Sequence, residues 1–286
     1  MTADKNIKRI GVIICTLVLA TYPVFSFLPD QGLITVPDYE PDSLRAELLF
    51  HEARTAFGEG RADTALFLAG QSLLLATEAG VEHLQADNHL MMGMLLRESG
   101  DAEDILGHFI RAALLYEKSG NMEALSTVNE ETGNYYFHMN AWERSLYYYE
   151  LALEQGLPVR SAVEVCLIHN QAGVSAYNMD NFEKAEHHFR SLLELSKEHD
   201  FEEFLAPAIY RLASVYTATG RQEMELKYYH DLYSYYDRTG NQRGMILVMN
   251  NIGHSHFNAG DFGQATGAFL KSLGMAGDTG MPPSER

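Results

Sequence analysis

Apolar positions recur along this chain with two nested periods. Within each segment they return every three or four residues, as on one face of a helix, and no segment sustains strand-like alternation of apolar and polar residues. On the longer scale a small residue returns every 40 positions, at Gly93, Gly133, Gly173, Ala213 and Gly253, with Ala53 opening the series. Seven residues after each comes a turn former: Gly60, Gly100, Asn140, Asp180, Gly220 and Gly260. Twelve after it stand Ala65, Ile105, Ser145, Ala185, Glu225 and Ala265, and sixteen after it Ala69, Phe109, Tyr149, Phe189, Tyr229 and Phe269. Twenty-seven after it come Gly80, Gly120, Asp200, Gly240 and Gly280, missed only at Arg160, where Gly156 and Pro158 break the chain earlier. Residues that accept a left-handed backbone end helices, so each unit predicts helix, turn, helix, stop. About six such hairpins form one elongated all-α array, because each repeat packs only on its neighbours.

The phases resemble those of the tetratricopeptide repeat family. The nearest matches run from Asn251-Ile252-Gly253 through Gly260-Asp261-Phe262 to Ala265 and Phe269, and from Ala172-Gly173 through Asp180-Asn181-Phe182 to Ala185 and Phe189. Gly133, Tyr136, Trp142 and Tyr149 make a third. The period is longer than the family's usual ~34 residues and resembles its long-helix variants in bacterial signalling proteins. Glu225 and Ile105 replace the usual small residue, and the first unit lacks most aromatics. The resemblance implies a right-handed superhelical solenoid whose first helices line a concave groove. It also implies a protein or peptide partner held in that groove.

The repeats assign residues 43–280 to the array, after a leader at 1–28 and a linker at 29–42, and before a tail at 281–286. In the leader, Lys5, Lys8 and Arg9 precede an apolar run from Ile10 to Leu28, followed by Asp30. Basic residues first and acid afterwards orient such a segment with its N-terminus inside and the rest exported. Two readings stand: a signal peptide cut after Ser26, with Val24 and Ser26 at the small positions, or an inner-membrane anchor. The 19 residues from 10 to 28 approach the ~30 Å hydrocarbon core at ~1.5 Å per residue. Either places the array outside the cytoplasm, periplasmic or secreted, with membrane contact only through the leader. Cys15 does not fit a lipid-modified cysteine, since bulky Ile14 precedes it. Cys166 is then the array's only cysteine and reads as a small core residue.

Charge narrows the partners. The chain carries 39 acids against 21 bases, net −18. Removing residues 1–26 (Lys5, Lys8 and Arg9 against Asp4) takes off two positive charges and gives −20. Such a surface repels phosphate backbones, so no nucleic acid is expected. No catalytic constellation stands out. His187 and His188 are adjacent and point ~100° apart on a helix, and His254 and His256 also diverge. No histidine pair carries the intervening Glu of a zinc hydrolase, and no phosphate loop or nucleophile elbow occurs. Neither enzyme activity, metal nor cofactor is expected, and the histidines are read as surface or groove residues.

The groove is read from positions three before, one after and four after each small residue, which share a helix face. They bring together Arg97, Asn134, Phe137, Asn170, Tyr177, Tyr210, Asn250 and His254 as candidate ligand-binding residues. Amides can pair with an extended backbone while aromatics take its side chains. The Lys118-Ser119-Gly120-Asn121 junction recurs as Arg238-Thr239-Gly240-Asn241 and begins again at Asp278-Thr279-Gly280. The last hairpin's apolar flank (Ile252, Phe262, Phe269, Leu273) is therefore a candidate for self-association. Two alternatives to a groove scaffold follow: a sensory input module of a bacterial signalling system, and an envelope-assembly adaptor working through that C-terminal end.

Overall fold

The computed structural model describes residues 41–97, 100–156 and 160–278. The leader and the tail, and with them the signal-or-anchor expectation, lie outside the described residues. Twelve helices and no strand occur among the described residues. They pair as hairpins α1 (Asp42–Gly58) with α2 (Ala62–Glu78), α3 (Glu82–Leu96) with α4 (Ala102–Ser119), and α5 (Met122–His138) with α6 (Trp142–Gly156). The series continues with α7 (Ala162–Asn178) and α8 (Phe182–Glu198), α9 (Glu202–Ala218) and α10 (Gln222–Thr239), then α11 (Gln242–Asn258) and α12 (Phe262–Asp278). Each helix packs on the one before and the one after it. The architecture is an all-α helical repeat solenoid.

The 40-residue series has a steric origin. A Cβ added at Gly93, Gly173 or Gly253 would meet Phe109, Phe189 or Phe269 at 2.5 Å or less, and one at Gly133 would meet Tyr149 at 2.9 Å. The small residue lets the aromatic of the partner helix, sixteen positions on, lie directly against the backbone. The first repeat reaches the same fit with Ala53 and Ala69, both fully buried. Burying a ring such as Tyr149 (0% exposed) is worth on the order of 2–3 kcal/mol. The turns follow the sequence equally closely: Gly60, Gly80, Gly120, Gly220, Gly240 and Gly260 have positive φ, and so do Asn140, Asp180 and Asp200. Gly100 does not share this conformation; the helix before it ends early, at Leu96.

Neither exception to the small-residue rule breaks its hairpin. Ile105 is 1% exposed and Glu225 6%. Serine hydroxyls cross-link three hairpins: Ser72 donates to the Ala46 carbonyl at 2.8 Å, Ser126 to that of Ala152 at 2.7 Å, and Ser272 to that of Ile246 at 3.2 Å. Buried residues from α6 to α12 form one continuous core, and Cys166 is fully buried within it.

Four histidines depart from the expectation of surface or groove positions. His108, His169 and His188 are buried and His89 half-buried, and these four form two pairs. The Nδ1 atoms of His89 and His108 lie 2.9 Å apart, and those of His169 and His188 3.0 Å apart. One nitrogen of each pair must be protonated and the other bare, so each pair holds a single shared hydrogen bond between neutral rings. Helix periodicity placed each residue but could not show that rings from two helices meet.

Candidate functional site

The odd-numbered helices carry the candidate residues. Direct approaches between alternate helices, α1 with α3 and α7 with α9, lie in this odd layer, as in a curved stack whose odd helices are on the inner side. Along that face the two halves of the array differ in chemistry.

In the N-terminal half the candidates are engaged internally. Arg97, at the end of α3, donates through Nη1 to Glu131 Oε2 at 2.9 Å. Burial raises the Glu131 carboxyl above its ordinary range, with Arg97 pulling the other way. The Arg160 guanidinium, its side chain 5% exposed, pairs with Glu130 at 2.6 Å. Asn134 Oδ1 accepts from the Tyr149 hydroxyl at 2.7 Å, and the Tyr116 hydroxyl donates to Asp87 at 2.5 Å. Burial raises both of these phenols above their ordinary pKa. Phe137 sets its ring edge-on to Trp142, centroids 5.3 Å apart.

Farther along, less is spent internally. Tyr177 clasps its own turn by an edge contact to Phe182 at 5.5 Å, as Phe257 does with Phe262 at 5.4 Å. Among the described residues Asn170 reaches only the adjacent Gln171 side chain, at 3.1 Å. Tyr210 is 48% exposed. Asn250 is half-buried with no hydrogen-bond partner among the described residues, and His254 is exposed with its ring edge on Phe269 at 5.1 Å. Beside them stand Leu167 (45% exposed), Leu247 (64%) and Phe257 (54%). On α11, Leu247, Asn250, His254 and Phe257 fall at intervals of three, four and three, which is one helix face. Leu167, Asn170, Val174 and Tyr177 repeat that spacing on α7.

The array also carries a longer recurrence of 80 residues, or two hairpins. The imidazole pair at 89 and 108 returns at 169 and 188. Tyr136 stacked on Tyr148 (5.6 Å) returns as Tyr216 on Tyr228 (5.4 Å). The second tyrosine pair adjoins a charge cluster that was not legible beforehand: Glu186 accepts from Tyr216 at 2.7 Å, Arg190 at 2.8 Å and Arg221 at 2.6 Å. Its carboxyl is held below its ordinary pKa by these donors against the effect of burial, and Tyr216 is raised to about 12, by burial first. Comparing residues 80 apart would have flagged the pairs in the sequence.

Among the described residues no group of three or more His, Cys, Asp or Glu side chains is placed to hold a metal ion. No helix among them is long and apolar enough to cross a membrane.

No family model matches the sequence, and no curated protein matches it either. Solved structures do. The chain is similar to a signal transduction ATPase with a tetratricopeptide repeat sensor from Pyrococcus horikoshii, with TM-score 0.64 and 13% identity over 85% of this chain, which spans 38% of that one. It is similar to the apo form of RapI, with TM-score 0.57 and 13% identity over 83% of this chain and 85% of that chain. The tetratricopeptide-like repeats of a putative kinesin light chain from Podosopora anserina align with TM-score 0.57 and 11% identity, over 71% of this chain and 99% of that one. At these identities the likeness is one of fold: the hairpin array is a tetratricopeptide-like solenoid.

Proposed function

We propose that the array is a non-enzymatic scaffold that holds an extended segment of another protein along α7, α9 and α11. The observation that carries this is the contrast between the two halves of the odd face. Near α3 and α5 the polar groups answer one another. On α7, α9 and α11, Leu167, Leu247, Phe257 and Tyr210 are exposed beside amides with few or no partners. Apolar contacts with interspersed amides suit an extended peptide, whose backbone groups need partners and whose side chains alternate. Affinity capture of tagged chain from crosslinked cells, beside the Asn170→Ala/Asn250→Ala variant, tests it. The expected result is a partner lost in the variant; a partner captured equally by both forms counts against the groove.

Export by residues 1–28 belongs to the same proposal, and cell fractionation with N-terminal sequencing of the mature chain checks it. A sensory use is favoured by the repeat sensor in the P. horikoshii structure. Self-association is favoured by Phe262, Leu270 and Leu273 of α12, each more than half exposed. Light scattering across a dilution series separates self-association from groove binding.

A further inference from the structure

Each junction between successive hairpins sets the even helix of one against the odd helix of the next. Hydrogen bonds at three of these junctions report the register. Between α2 and α3, Gln85 Nε2 donates to the Ala76 carbonyl at 3.1 Å and Asn88 Nδ2 to Ser72 Oγ at 2.8 Å. Between α6 and α7 the hydroxyls of Ser145 and Ser175 meet at 3.0 Å, and between α10 and α11 Gln222 Nε2 donates to the Ser255 carbonyl at 3.2 Å. Shifted by multiples of the 40-residue period, all four fall on one antiparallel register. Carried onto α1 and α12, that register pairs Arg45 with Ala276, Leu48 with Ser272, and Thr55 with Ala265 and Phe262. The residues at these positions are the ones that α1 and α12 leave uncovered. Leu48 is 44% exposed, where Asn88, Val128, Ile168, Ala208 and Val248 are 2% or less. Leu44 is 40% exposed where Leu84 is 3%, and Thr55 is exposed where Tyr135, Ser175, Val215 and Ser255 are buried. On α12, Leu273 is 55% exposed where Leu153 and Leu193 are 7%. Phe269 is half-buried where Phe109, Tyr149 and Phe189 are buried. Leu44, Leu48, His51 and Thr55 fall at intervals of four, three and four, and so do Phe262, Thr266, Phe269 and Leu273, so each set is one helix face.

We infer that copies of this chain join head to tail, with α12 of one copy seated on α1 of the next in the register of the internal junctions. The inference rests on the self-association reading above and gives it a partner face and a geometry. Inside the molecule each of these two faces is covered by a helix in the position of the other. Neither stripe carries a carboxylate, lysine or arginine, and from Phe262 to Gly277 the only charged residue is Lys271, in a chain of net −18. Burial would strand neither hydroxyl: Ser272 already donates to the Ile246 carbonyl and Thr55 to that of His51. A contact between two different faces repeats from copy to copy. Because it continues the step from one hairpin to the next, it lengthens the solenoid into a filament instead of closing a pair.

Sedimentation velocity of the full chain over a dilution series, with Leu48→Glu and Leu273→Glu variants, tests this. Both leucines are exposed, so both variants should keep the wild-type circular dichroism. The wild-type mass should climb past that of a dimer with concentration, and climb further in salt that screens the repulsion between acidic copies. Each variant alone should be monomeric, and an equal mixture of the two should form a dimer and nothing larger, through the one intact pair of faces. Disulfide trapping reads the register. In a Cys15→Ser background, Thr55→Cys/Ala265→Cys should give a ladder of covalent oligomers with diamide as oxidant. Ser145→Cys/Ser175→Cys, the same pair inside the molecule, should bond within one chain and serves as the control. A dimer that survives Leu48→Glu but not Leu273→Glu is a two-fold contact of α12 with itself; it overturns the head-to-tail inference and leaves self-association standing. A control that bonds beside a Thr55→Cys/Ala265→Cys chain that does not also overturns it. Oligomers untouched by either glutamate place the contact elsewhere and overturn it as well. A wild-type monomer at every concentration overturns self-association and this inference together, and leaves both faces to a different protein.

Discussion

Gly173→Ala sets two opposing effects against each other at one position. Gly173 lies in the middle of α7, where glycine costs about 0.5–1 kcal/mol relative to alanine. On helix propensity alone the substitution stabilises. The new Cβ, however, would fall less than 2.5 Å from Cε1 of Phe189, which is 1% exposed and packed within the continuous core. Overpacking of a full core costs about 1–3 kcal/mol, so the net result is a loss of about 1–2 kcal/mol. Phe189→Leu alone should also destabilise, by about 1–2 kcal/mol for the lost ring contacts. In that background the alanine methyl has room, and Gly173→Ala should change sign to a gain of up to about 1 kcal/mol. The first repeat, with alanine at both positions, already shows the unclashed arrangement. Urea denaturation followed by far-UV circular dichroism on the four chains of this cycle gives the coupling directly. A stabilising Gly173→Ala in the otherwise wild-type chain would refute the steric account of the 40-residue series.

Three further outcomes are expected. Burial holds His169 at about 3 and His188 at about 4, both below the ordinary 6.5, so the unfolded chain takes up protons first on acidification. Their contribution is complete above about pH 6.5 and is lost as pH falls toward 4; between pH 7 and 5 it amounts to about 2 kcal/mol per imidazole. The urea midpoint should therefore fall less steeply with pH in the His169→Asn/His188→Tyr variant, which copies Asn129 and Tyr148 of the preceding repeat; an unchanged slope refutes this. Ser161→Ala removes the capping box in which Ser161 and Glu164 satisfy each other's backbone N–H at the start of α7, and should lower stability by about 1 kcal/mol in the same titration. Asn134→Ala leaves the Tyr149 hydroxyl without its acceptor and should cost about 1–3 kcal/mol, whereas Asn250→Ala should stay within about 0.5 kcal/mol; equal losses would contradict the division of the odd face.

What the sequence disclosed and what it withheld divide along a physical line. The small residue, the turn seven positions on and the aromatic sixteen positions on are constraints inside one hairpin, so they survive as fixed spacings. Where two helices of different repeats meet, the requirement is complementarity, which different residues can satisfy. Arg97 with Glu131 and Glu186 with Arg221 therefore leave no common motif. Asn134 and Asn250 stand at different phases, one after Gly133 and three before Gly253, but they fall on the same helix face and so look alike in the sequence. Only the tyrosine that happens to sit opposite Asn134 gives that amide an internal partner. The histidine pairs cross that line: each lies inside one hairpin at a separation of 19 residues, but only two of the hairpins carry one, so a 40-residue period does not reveal it.

The 80-residue recurrence makes a four-helix block, rather than the single hairpin, the natural module of this protein. A shortened chain lacking one such block would rejoin an imidazole pair or a stacked tyrosine pair to surroundings already seen once elsewhere in the array. Deleting a single hairpin would bring together faces that never meet in the present molecule. Growth by tandem duplication leaves that kind of imprint when the copied segment is two hairpins long.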